Sequence, residues 1–130
     1  MPMLDHVGVS VSDYARSLGF YRQALAPLDI TLLMEMTPEA TGGNGAAGFG
    51  SGDEPFFWFG DDGAPGVHTH VAFRARSRAQ VDAFHAAALA AGGRDNGAPG
   101  LRPHYHEHYY GAFVLDPDGH NIEAVCHRPE

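Results

Sequence analysis

Leu4-Asp5-His6-Val7-Gly8-Val9-Ser10-Val11 and Val67-His68-Thr69-His70-Val71-Ala72-Phe73-Arg74-Ala75 read as two versions of one strand. In the first, Val7, Val9 and Val11 fall on one side of an extended chain, and His6, Gly8 and Ser10 fall on the other. In the second, Val71 and Phe73 take the apolar side, opposite His68, His70, Ala72 and Arg74. His6 and His70 stand 64 residues apart, and the same offset sets Phe20 on Phe84, Ala24 on Ala88, Leu25 on Leu89, Ala26 on Ala90 and Phe49 on Phe113. One offset kept through a strand, a helix and a second strand marks an internal duplication, read here as gap-free over its whole length.

Working outward, a helix follows each of these strands. Asp13 is placed to cap the first, where Leu18, Tyr21, Leu25 and Leu28 recur at helical spacing. Ser77 and Gln80 form a capping box for the second, where Val81, Phe84, Ala88 and Ala91 recur. Pro27 lies near the end of the first helix and Gly92-Gly93 stops the second. Short strands are expected at 30–36, 47–51, 55–59, 111–115 and 121–126, with loops at 41–45 and across most of 93–103. Asp116-Pro117-Asp118-Gly119 is a turn, because Pro presets φ and Gly tolerates the left-handed region. The expected fold is therefore α+β: one domain over 1–130 made of two β-α-β-β-β repeats, about 1–64 and 65–130, joined by an Asp- and Gly-rich linker at 60–66.

Bulk properties narrow the function. With 130 residues, 44% of them apolar, the chain can bury a core without metal or disulfide staples. The net charge is −8, and all eight cationic residues are scattered Arg, so a phosphate-tracking surface for nucleic acid is not expected. No apolar stretch has spanning length, no polybasic run marks a membrane surface, and residues 1–6 lack the regions of a secretory leader. With a single cysteine, Cys126, these features point to a cytoplasmic protein.

The chemistry gathers on three residues. Alternation puts Asn121, Glu123 and Val125 on one face of the last strand, opposite Ile122, Ala124 and Cys126. A carboxylate in so apolar a run is costly to bury unless it is paired or bound to metal. The duplication sets His6 and His70 at matching points, so a pseudo-twofold arrangement would bring both imidazoles to Glu123. Two imidazoles and one carboxylate form an open-sided site for a divalent ion such as Fe(II), Mn(II) or Zn(II), with positions left for substrate.

These segments resemble the vicinal oxygen chelate superfamily of glyoxalases, fosfomycin-resistance thiol transferases, extradiol dioxygenases and bleomycin-binding proteins. The likeness rests on Leu4-Asp5-His6-Val7-Gly8-Val9, on His70-Val71-Ala72-Phe73, and on Asp116-Pro117-Asp118-Gly119-His120-Asn121-Ile122-Glu123. It implies a glyoxalase-like cupped, partly open mixed barrel, a divalent metal (Fe, Mn, Zn or Ni), and a homodimer whose site lies within one chain or across two. It also implies a small substrate bound through neighbouring oxygens, with a glyoxalase-like lyase or isomerase or a ring-cleaving dioxygenase as the activity. The alternative is a metal-free protein that sequesters a drug-like ligand. Many glyoxalases carry a fourth ligand on the last strand of the first repeat; the 64-residue register puts Phe59 there, which argues for three ligands.

The stretch Leu101-Arg102-Pro103-His104-Tyr105-His106-Glu107-His108-Tyr109-Tyr110 is the candidate substrate loop. Arg102 suits a substrate oxyanion, His104, His106 or His108 suits acid–base work, and Tyr105 or Tyr109 suits donation to a developing negative charge. His68 is placed beside His70 near the metal, and alternation aims Phe57 and Phe59 at the same side. Cys126 reads as core, and His120 as a residue that shapes the turn.

Overall fold

The computed structural model describes residues 4–66 and 68–130. Val67, the expected start of the second repeat's first strand, and residues 1–3 lie outside them. The elements run β1 (Val7–Ser10), α1 (Tyr14–Leu25), a 3₁₀ turn at Ala26–Leu28, β2 (Thr31–Met36), a one-turn helix α2 (Pro38–Thr41), β3 (Ala46–Ser51) and β4 (Glu54–Gly60). The second repeat follows as β5 (His70–Arg74), α3 (Arg78–Ala90), β6 (Arg94–Leu101), β7 (Tyr110–Leu115) and β8 (Asn121–Cys126). They build two four-stranded mixed sheets, ordered β1-β4-β3-β2 and β5-β8-β7-β6. In each sheet the first strand runs parallel to the last and the other neighbours are antiparallel. This is the expected pair of β-α-β-β-β repeats, with the sheets left open.

Both helices start where the sequence places their caps. The Asp13 carboxylate accepts from the Arg16 N–H at 3.1 Å, and the Ser77 hydroxyl accepts from the Gln80 N–H at 3.2 Å. Gln80 reaches one residue further back than a capping box requires, since its Oε1 accepts from the Arg76 N–H at 2.7 Å. At the other end of α3, Gly92 takes φ +104°, which a side chain would strain. The helices pack together, and each sheet lays one face on them. Phe20, Tyr21, Phe49, Phe57, Phe59, Phe84, Val114, Ile122 and Ala124 are buried there. The Tyr21 ring lies 5.0 Å from Phe57 and 5.1 Å from Phe59, and Phe57 meets Phe73 of the other sheet at 5.2 Å.

A polar seam joins the repeats. The buried Tyr21 hydroxyl donates to Asp116 at 2.5 Å. Asp116 also accepts from the backbone N–H of Asp118 and of His120, and from His120 Nδ1 at 2.8 Å. Burial first, and then the Asp116 carboxylate, push the Tyr21 hydroxyl well above the ordinary tyrosine range, so it remains a donor. Ser12 donates to Asp118 from both its backbone and its hydroxyl, which ties the start of α1 to the Asp-Pro-Asp-Gly turn.

Three sequence expectations need correction. Residues 94–101 form an eight-residue strand and not a loop. Its Gly and Pro are accommodated by register shifts between Asp95 and Gly97 and between Gly97 and Gly100, with Gly97 at φ +153°. The 64-residue register also slips. Val7 pairs with Phe57 in the first sheet, but Val71 pairs with Ile122 in the second, so the last strands correspond at 65. Phe49, buried at β3, then matches buried Val114 and not Phe113. Finally, Phe57 and Phe59 face the helices and are buried; Trp58 takes the other face and is the positional counterpart of Glu123.

Candidate metal and acid site

Each sheet has a second face that the helices do not cover. On the second sheet this face runs across Ala72, Glu123 and Phe113, which are consecutive cross-strand partners. His70 begins β5 on the same side. Its Nε2 lies 2.9 Å from Glu123 Oε1, and Tyr109 donates its hydroxyl to Glu123 Oε2. Glu123 is only 1% exposed although it stands on the outward side of its strand, because His70 and Tyr109 close over it. Gly111 makes the room: a Cβ there would sit 3.1 Å from the Tyr109 ring and 3.2 Å from Glu123 Oε2. Burial, and next the hydrogen bond to Glu123, push the Tyr109 hydroxyl far above its ordinary value, so it keeps its proton and serves as a donor.

The loop before β7 is pinned across its neck, with the Arg102 N–H donating to Tyr109 O at 2.7 Å. A train of rings runs from the buried acid outward. Tyr109 meets Tyr105 at 5.1 Å and His127 at 5.3 Å; Tyr105 meets His104 at 4.2 Å, and His106 meets His127 at 5.5 Å. Of the five loop candidates, Tyr109 touches the carboxylate directly. Tyr105 braces Tyr109, Arg102 lies over the Phe113 ring at 5.4 Å, and His104 and His106 occupy the outer rim. His108 lies 3.5 Å from the exposed Glu107 and not against Glu123.

His6 stands apart. It is exposed just ahead of β1 on the first sheet's uncovered face, its Nδ1 2.7 Å from Asp5 Oδ1. Among the described residues of a single chain, no three His, Cys, Asp or Glu side chains lie together as metal ligands. Two of the three expected ligand groups therefore meet in one chain, and the third does not join them there. His68 precedes β5 and is exposed, with a left-handed φ of 60°. The sequence reading passed over His127, Asn96 and Asn121. Asn121 had a signal, since it shares the Glu123 face by alternation; His127 and Asn96 had none, because a strand end and a register shift bring them in.

Paired β-α-β-β-β repeats forming two open mixed sheets define a glyoxalase-like architecture. Residues 3–124 match the Glyoxalase/Bleomycin resistance protein/Dioxygenase superfamily, and the chain belongs to it. A glyoxalase/bleomycin resistance protein from Albidiferax ferrireducens T118 is 32% identical with a TM-score of 0.74, covering 98% of this chain and 100% of that one. Glyoxalase I from Zea mays is 24% identical with a TM-score of 0.70; the match covers 95% of this chain and 46% of that one, so this chain spans about half of it. A glyoxylase/bleomycin resistance protein/dioxygenase domain from Frankia sp. EAN1pec shares the fold at 17% identity and a TM-score of 0.71, covering 98% and 99%. No curated protein matches the chain. Among the described residues no helix is long and apolar enough to cross a membrane.

Proposed function

We propose that this chain is a metal-dependent enzyme acting on a small substrate with two neighbouring oxygens. His70 and Glu123 come from one chain, and His6 comes from a second copy in a homodimer. The Glu123 carboxylate carries this reading. It is 1% exposed, lies on a sheet face that the helices leave open, and has an imidazole nitrogen at 2.9 Å. Such a group is costly to bury for packing alone, and it suits Fe, Mn, Zn or Ni when a second imidazole completes the set. A bound ion would supply Lewis acidity to the substrate oxygens. Tyr109, kept protonated, holds Glu123 Oε2 and sets the carboxylate plane, while the Tyr105 ring braces Tyr109 and the Phe113 ring lies 6.2 Å from the His70 ring. Trp58 stands where a fourth ligand would come from the first repeat, so three protein groups hold the ion. The reaction is either a glyoxalase-like lyase or isomerase step, the activity that the Zea mays relative's name carries, or a ring-cleaving dioxygenation.

The alternative is a metal-free binding protein that sequesters its ligand. It is favoured by the direct His70–Glu123 contact, which already satisfies the acid. Metal analysis of tag-free protein separates the two. Wild type should hold close to one divalent ion per site and Glu123→Ala at least tenfold less; near-equal content removes the enzyme reading. Mixing His6→Ala with Glu123→Ala chains should restore about a quarter of the sites, because half the random dimers are hybrids with one intact site of two. No recovery would place His6 elsewhere than across the dimer.

A further inference from the structure

An open hollow of about 280 Å³ lies beside the acid–imidazole pair, lined by Asn96, Arg102, Tyr105, Phe113 and Asn121. Phe113 links the two places, since its ring is 6.2 Å from the His70 ring on one side and lies 5.4 Å beneath the Arg102 guanidinium on the other. Arg102 is held in place by its own strand. Nη1 donates to Gly100 O at 2.8 Å and Nη2 donates to Ala98 O at 2.9 Å. Those bonds use two of its five N–H donors and fix the plane of the remaining three. Among the described residues no carboxylate pairs with it. Across the hollow, Asn96 Nδ2 donates to Asn121 Oδ1 at 3.2 Å, which orients the Asn121 amide and leaves its Nδ2 to donate.

We infer that this hollow is a carboxylate-binding subsite. The ligand is a small monocarboxylic acid with a planar, apolar body. Its carboxylate takes the Arg102 fork and the Asn121 amide, and its body lies on Phe113 toward His70 and Glu123. An unpaired, preorganised guanidinium beside an amide donor is an anion receptor, and the Phe113 and Tyr105 rings that help line the hollow give a flat group edges to pack against. The net charge of −8 repels acids at long range, but its field is screened beyond about 8 Å at physiological salt, so the donors in contact decide. The direction of the ligand's far end rests on the proposed reacting site; the anion subsite does not.

The test uses metal-free full-length protein and two probes of one shape, benzoate and benzamide, followed through the side-chain amide NMR signals of Asn96 and Asn121. Benzoate should saturate these shifts and bind at least tenfold tighter than benzamide. Arg102→Gln should weaken benzoate at least tenfold with the rest of the spectrum and the metal content of loaded protein unchanged. Asn96→Asp, which sets a like charge in the hollow and leaves the Arg102 anchors intact, should do the same. Equal affinity for the two probes, or wild-type benzoate binding by both variants, overturns the subsite, and a preference for inorganic phosphate overturns its assignment to carboxylates. Failure here leaves the metal analysis of Glu123→Ala standing, and failure there leaves this one standing.

Discussion

The two repeats share a topology and divide the work. Across the uncovered face of the first sheet the row reads Gly8, Trp58, Gly48; across the second it reads Ala72, Glu123, Phe113. The large ring sits on the last strand in one repeat and on its neighbour in the other. In the first, the Trp58 indole lies over Gly48, where a Cβ would come within 2.7 Å of it. In the second, the ring has moved to Phe113, and the vacated place holds the acid. One repeat thus offers an apolar wall with a lone imidazole at its edge, while the other offers a charged pair. The proposed site, which needs both, must bring unlike faces together across two chains.

This comparison depends on Trp58, not Phe59, matching Glu123, and the largest predicted effect tests that. Phe59 is 2% exposed and stacks on Phe49 at 5.8 Å, so Phe59→Ala should cost about 3–5 kcal/mol in urea unfolding. Trp58→Ala, on the uncovered face, should cost roughly 1 kcal/mol. A reversed order would restore the gap-free register. Next in size, Gly48→Ala should lose about 1–3 kcal/mol by driving a methyl into the indole, and adding Trp58→Ala should recover most of that loss. Simple additivity in that double-mutant cycle would mean that the ring does not rest there. The smallest effect tests where the repeats agree: Asp13→Ala and Ser77→Ala should each cost about 1 kcal/mol in thermal or urea unfolding, since each removes one N-cap bond. Unequal costs would show that one helix start leans on other contacts.

Alternation and duplication made most of the fold legible. Val9/Val11, Val71/Phe73 and Ile122/Ala124 each named the core side of a strand, although Val7 at the start of β1 is exposed, and Asp13 and Ser77 named the helix starts. The same reasoning placed Glu123 opposite the core and His70 beside it. What it missed had physical causes. β6 was hidden because Gly97, Pro99 and Gly100 read as loop residues, and cross-strand bonding to β7 with two register shifts overrode their local preference. The slip from 64 to 65 was invisible because Phe49 and Phe113 are alike in type while one is buried under helices and the other is half-exposed. Identity at an offset does not report which way a side chain points. Within the loop, nothing in His104, Tyr105, His106 or Tyr109 favoured one over another; Tyr109 won through Gly111, whose missing side chain leaves space that only the folded sheet reveals.

The polar seam sets how the molecule comes apart. Tyr21 belongs to the first repeat and Asp116 to the second, and each is the other's buried hydrogen-bond partner at 2.5 Å. A nick in the connecting segment at 61–66 would therefore release no self-sufficient fragment. One piece would keep a phenol dissolved in aromatic rings, the other a sealed-in acid, and each lost partner would have to be replaced by water reaching the interior. The duplicated halves should therefore melt together, because the buried Tyr21 hydroxyl finds its acceptor on the other side of the seam.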